Sequence, residues 1–125
     1  MGKAQRSKGA RGELLWRDFL REHLGCTDAQ RGARNGCKSG EDVINGIPGT
    51  RSEVKFVERL NVRSAMGQAI SDSKDGDVAY VAHKISRGEW LFTLRAKDLM
   101  RLARCLAAIE GRPIYPMGAD DGNED

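Results

Sequence analysis

A chain of 125 residues with 39% hydrophobic content is long enough to bury one core and too short to divide into two domains. Its 21 Lys and Arg against 18 Asp and Glu give +3, but residues 120–125 hold four of the acids, so the remaining body carries 21 cations against 14 acids, or +7. Such a body favours a polyanionic partner, whose condensed counterions are released on binding, while the absence of any long apolar run argues against a membrane span and against an export signal. Cys26, Cys37 and Cys105 are odd in number and lack C-x-x-C spacing, as reduced thiols of a cytoplasmic protein would be.

Residues 1–10 are basic, with Gly2, Gly9 and little apolar content, and read as a flexible arm. From Gly12 a helix is predicted: Leu15, Trp16, Phe19, Leu20 and Leu24 recur at three- and four-residue intervals, and Gly25 stops it. Glu13 opens its buried face. A strand is predicted around Thr27 to Arg34, then a loop rich in Gly and Lys. A hairpin over residues 42–57 follows; its Ile47-Pro48-Gly49-Thr50 turn has proline at the first central position and, at the second, a glycine free to take positive φ. Val62, Ala65, Met66, Ala69 and Ile70 mark a short amphipathic helix. Asp77 to Ala82 is almost continuously apolar, as suits a strand covered on both faces, and Glu89 to Leu94 reads as its antiparallel neighbour across Ser86-Arg87-Gly88. Ala96 to Ile109 reads as a closing helix with Leu99, Leu102, Ala103, Leu106 and Ile109 inward. Residues 111–125 read as an acidic, disordered tail. The order helix, three strands, helix, strand, strand, helix predicts a single α/β domain over residues 11–110, a mixed β-sheet flanked by helices.

The chemistry concentrates at Asp42 and in Arg51-Ser52-Glu53-Val54-Lys55-Phe56. Strand side chains alternate faces, so Glu53 and Lys55 project together while Val54 and Phe56 turn away. If Ile47 pairs with Thr50, the hairpin sets Ile44 opposite Glu53 and Asp42 opposite Lys55, all four on one face. Asp42 and Glu53 then become diagonal neighbours able to hold one hard divalent cation through oxygen ligands. A plainer reading is a solvated hairpin face with cross-strand ion pairs worth under about 1 kcal/mol. His23 and His83 are isolated, and no Cys or His cluster supports zinc.

A helical Glu13, then Asp42, then Glu53-Val54-Lys55 after ten intervening residues, followed by a helix and a buried strand, resembles the PD-(D/E)XK nuclease superfamily. Small size, the glycine-flanked glutamate of Lys8-Gly9-Ala10-Arg11-Gly12-Glu13 and the basic strand before the aspartate look most like archaeal-type Holliday junction resolvases and small phage endonucleases. The resemblance implies a restriction-endonuclease-like αβββαβ core, with an extra strand and a C-terminal helix here. It implies a magnesium-dependent endonuclease, with manganese able to substitute, that hydrolyses DNA phosphodiester bonds, resolves Holliday junctions or other branched DNA in recombination, and works as a homodimer in the cytoplasm of a bacterial, archaeal or phage-infected cell. No membrane and no nucleotide cofactor are implied. Asp42 and Glu53 would bind the metal with the Val54 carbonyl as a further ligand, Glu13 would complete the site directly or through water, Lys55 would orient or deprotonate the attacking water, and Gln68 falls where members often carry a polar residue. Lys3, Arg6, Lys8, Arg11, Arg31, Arg34 and Lys38 are the candidate DNA contacts. One departure is Glu41, which stands where the family commonly has proline. The competing expectation is a noncatalytic DNA-binding module that keeps the fold; an interaction protein acting through its acidic tail is a third.

Overall fold

The computed structural model describes residues 3–32 and 41–109, with side chains from Lys8 onward. Helix α1 runs from Lys3 to His23, so the arm expected over residues 1–10 is helical from Lys3. Ala4, Gln5, Arg6, Lys8, Ala10 and Arg11 are strong helix formers, and the amphipathic sequence behind them supplies the packing that a basic end lacks. Gly25, at φ +76, ends α1, and the Cys26 amide closes back on the Leu20 carbonyl at 3.0 Å.

Strands β1 (Gln30–Arg31) and β2 (Val43–Ile44) form an antiparallel ribbon. The strand expected over Thr27 to Arg34 is two residues long because Cys26–Ala29 closes a turn instead. Strands β3 (Thr50–Phe56), β4 (Val78–Lys84) and β5 (Leu91–Leu94) make a second, mixed sheet, with β4 parallel to β3 and antiparallel to β5. Helix α2 (Val62–Asp72) is the crossover that a parallel pair requires, and Asn61 caps it by accepting the Ser64 amide at 3.0 Å. A 3-10 turn over Ala96–Asp98 leads into α3 (Leu99–Ala107). The chain is thus an α/β protein whose mixed sheet is flanked by helices.

Alternation in β3 and β4 separates two cores. Even-numbered Val54, Tyr80 and Ala82 pack with Trp16 and Leu20 of α1, whereas odd-numbered Ala79 and Val81 meet Ala65 and Ala69 of α2. On the first side Trp16 donates its indole N–H to the Tyr80 hydroxyl at 3.0 Å, so the largest buried ring satisfies its one polar atom. On the second, alanines bring α2 close to the sheet. Of the residues expected inward on α3, Leu99 is 55% exposed; Leu102 and Leu106 are half-buried and Ile109 is buried, so the inner face starts one turn later.

The expected 42–57 hairpin is corrected. β2 pairs with β1, not with β3. The turn itself is present, with Gly49 at φ +77 and the Thr50 hydroxyl donating to the Ile47 carbonyl at 2.7 Å, but Asn45 sits at φ 59 directly after Ile44 and bends the chain out of extension. The paired run therefore stops before it can zip against β3.

Candidate active site

β3 positions the proposed chemistry through both its faces and its free edge. Its odd amides serve the parallel ladder, as the flanking bonds from Val78 N–H to the Gly49 carbonyl and from Val57 N–H to the Lys84 carbonyl indicate. The even amides point outward. Side chains from 41–42 take them: Glu41 accepts the Ser52 amide at 3.0 Å and Asp42 accepts the Val54 amide at 2.8 Å. Ser52 completes the lacing, since its hydroxyl donates to the Val43 carbonyl at 3.0 Å and accepts the Val43 amide at 3.3 Å. Two consecutive acids and one serine therefore replace a backbone ladder between β2 and β3. Because N–H and C=O of one extended residue point to the same edge, the Val54 carbonyl faces the Asp42 side.

The inward odd face carries Arg51, Glu53 and Lys55 toward α2. Glu53 is 7% exposed, and its carboxylate lies 3.3 Å from the Lys55 ammonium. Lys55 opens onto a cleft of about 220 Å³ that it shares with Arg59, Asn61, Ser64 and Gln68, so Gln68 reaches the neighbourhood expected of it. Glu13 comes from α1. Gly12, just before it, lies so close to β3 that an added Cβ would stand 2.7 Å from the Phe56 Cβ, and this close approach seats Glu13 near Asp42. Arg31, expected at the cleft edge as a phosphate contact, donates to Glu13 at 2.7 Å.

Electrostatics tie these groups together. Burial raises the Asp42 carboxyl to about 7; the charges of Glu53 and Glu13 push the same way, against the opposing pull of the Val54 amide and Lys55. Burial also raises Glu53, with Asp72 adding repulsion and Lys55 resisting it. Glu41 is raised by burial too, against the Ser52 amide and Arg51. Asp42 and Glu53, both held above their ordinary range, are close enough for the charge of Glu53 to repel that of Asp42.

A divalent cation would relieve that repulsion. Among the described residues no three Asp, Glu, His or Cys side chains form a ready-made cage. The donor set that remains, Asp42, Glu53 and the Val54 carbonyl, is all hard oxygen and suits magnesium, which keeps several waters and takes one or two carboxylates. With one Glu13 oxygen on Arg31, Glu13 fits the through-water role.

Of the candidate DNA contacts, Lys8 and Arg11 lie beside Phe56. Lys3 and Arg6 are on α1 with side chains outside the described residues, as Arg34 and Lys38 are entirely. Sequence reasoning passed over Glu41 and Ser52 as site-building residues; an acid directly before Asp42 and a serine two residues before Val54 were the available signal. It also passed over Arg59. No described helix is long and apolar enough to cross a membrane. No protein-family model, curated protein or solved structure matches the chain.

Proposed function

We propose that this chain is a metal-dependent endonuclease that hydrolyses phosphodiester bonds in DNA, built on a core of the PD-(D/E)XK type. The observation that carries the reading is the convergence of Glu13, Asp42, Glu53 and Lys55 from α1, the segment before β2, and β3, with Asp42 raised to about 7 by burial and by its acidic neighbours. A solvated hairpin face would not bury Glu53 or perturb Asp42.

Asp42 and Glu53, with the Val54 carbonyl, are the groups that would hold magnesium or manganese. The bound cation would supply a lowered pKa for water and neutralisation of the nonbridging phosphate oxygens. Lys55 orients the attacking water and stabilises the negative charge that grows on phosphorus-bound oxygen. Glu53 holds the Lys55 ammonium in place, and Gln68 lines the far side of the same cleft. Arg31 fixes Glu13, which acts through water. Branched DNA is the proposed substrate, and two symmetric cuts at a junction call for two copies of the chain.

The test is cleavage of matched junction, flap and linear DNA with magnesium or calcium. Asp42→Asn and Lys55→Ala should abolish magnesium-dependent cleavage while circular dichroism stays native; wild-type rates in either variant would sink the assignment. The second reading, a noncatalytic DNA-binding module, is favoured by the Glu13–Arg31 ion pair, which already neutralises one acid. It requires salt-sensitive DNA binding with no cleavage under any divalent ion.

A further inference from the structure

Three cations gather on one ring at the end of β3. Lys8 Nζ lies 4.8 Å from the Phe56 centroid, the Arg11 guanidinium 5.7 Å and Lys84 Nζ 5.7 Å. No two of these charges can therefore be further apart than about one Debye length at 0.1 M salt, close enough to repel. Phe56 itself is 6% exposed at a strand terminus, with Gly12 of α1 packed close against it. One anion partly offsets the cluster: Glu58, 55% exposed, pairs with Lys8 at 3.5 Å and accepts the Ser86 amide at 2.8 Å. The cluster keeps a positive excess.

Its location gives that excess a direction. Lys84 stands beside Phe56 in the parallel register, one residue along from Lys55 and His83, while Arg11 precedes Gly12 and Glu13 on α1. Strand alternation puts Phe56 and Lys84 on the face of the sheet opposite Glu53 and Lys55, so the cluster lies on the α1 side of β3, across the strand from those two groups. We infer that Lys8, Arg11 and Lys84 form a phosphate-binding subsite for a nucleic-acid strand on the α1 face of β3, separate from the groups at Asp42, Glu53 and Lys55. Phosphate binding by the cluster stands apart from the proposed nuclease reading. Phe56 serves as the hub that holds three mobile side chains in one place, and ligand phosphate replaces Glu58 as the partner of Lys8. Lys84 also reaches the Trp90 ring, at 5.8 Å, which fixes its stem from the β5 side.

The experiment is anisotropy of a labelled DNA duplex in EDTA, where nothing is cleaved, across about 50 to 200 mM salt. Each phosphate contact contributes about 0.9 to the slope of log K against log salt. Lys84→Gln should lower that slope by about 0.9 and the triple variant Lys8→Gln/Arg11→Gln/Lys84→Gln by about 2.7, with Arg104→Gln on α3 leaving it unchanged. Glutamine removes the charge while keeping a polar, partly aliphatic side chain, and circular dichroism checks the fold. Wild-type slopes in the cluster variants, or an equal drop in Arg104→Gln, would overturn the subsite. So would binding to phosphatidylserine vesicles without binding to the duplex. Slope changes as expected in a protein that cleaves no DNA with magnesium would support the subsite and remove the nuclease reading, so the two fail separately.

Discussion

Replacing Gly12 with alanine tests how α1 is seated on β3. On an open helix face this change stabilises by about 1 kcal/mol, since glycine is the poorer helix former by that amount. Gly9 offers that open case within the same helix: a Cβ there meets nothing within 4 Å. At Gly12 the new Cβ would lie 2.7 Å from the Phe56 Cβ, where carbon atoms prefer roughly 3.5 to 4.0 Å. Helix and strand must separate by about 1 Å, and overpacking of this kind costs about 1 to 3 kcal/mol. Gly9→Ala should therefore raise the unfolding free energy by about 1 kcal/mol. Gly12→Ala should lower it by up to about 2 kcal/mol after the propensity gain is subtracted. At roughly 4 °C per kcal/mol for a domain of this size, calorimetry or urea melts resolve the pair easily. Because Glu13 rides on the displaced turn, Gly12→Ala should also slow the proposed magnesium-dependent cleavage, by as much as about 100-fold for a 1 Å misplacement. If Gly12→Ala is as stable as Gly9→Ala and cleaves at the wild-type rate, the close approach does not seat Glu13.

Two further outcomes follow from buried polar groups. Asp42 is raised from 3.8 to about 7, so between those values the native state holds a proton that the unfolded chain has lost, and stability falls as pH rises through that window. In EDTA, the stability advantage of Asp42→Asn over wild type should grow by up to about 2 to 3 kcal/mol from pH 5 to pH 8; an advantage that stays constant or shrinks, measured by urea denaturation, contradicts the assigned burial. Tyr80→Phe leaves the buried indole N–H of Trp16 without its acceptor and should cost about 1 to 3 kcal/mol, seen as a lower urea midpoint at unchanged m-value. A loss below about 0.5 kcal/mol would show that the indole finds another partner.

Element order was legible because it rests on periodicity. The apolar run at Val78 to Ala82 is buried on both faces, and the alanines of α2 sit where their spacing put them. Pairing was less legible. A hairpin was the natural reading of Pro48-Gly49, but strand partners are chosen by long-range packing, and the left-handed Asn45 diverts β2 to β1. The arm failed for a related reason: glycine and charge suggested freedom, whereas helix propensity over Ala4 to Arg11 extends α1 back to Lys3. At the site, alternation correctly paired Glu53 with Lys55. It could not show that Asp42 meets β3 through the Val54 amide, because a side chain capturing a backbone edge has no period. Arg31 was read from its charge and its proximity in sequence to the proposed site as a phosphate contact, and only the fold brings it to Glu13.

The lacing of β2 to β3 by Glu41, Asp42 and Ser52 gives β3 two edges of different kinetic character. Amides facing β4 lie in a parallel ladder between two helices and become exchangeable with solvent deuterium only when the sheet comes apart. Those of Ser52 and Val54 are guarded by carboxylates on a short segment, so they exchange whenever that segment lifts, without global unfolding. Protection at Val54 is therefore a direct reporter on the seating of Asp42: anything that clamps the aspartate slows exchange at that one amide while its neighbours on the β4 edge keep their rates.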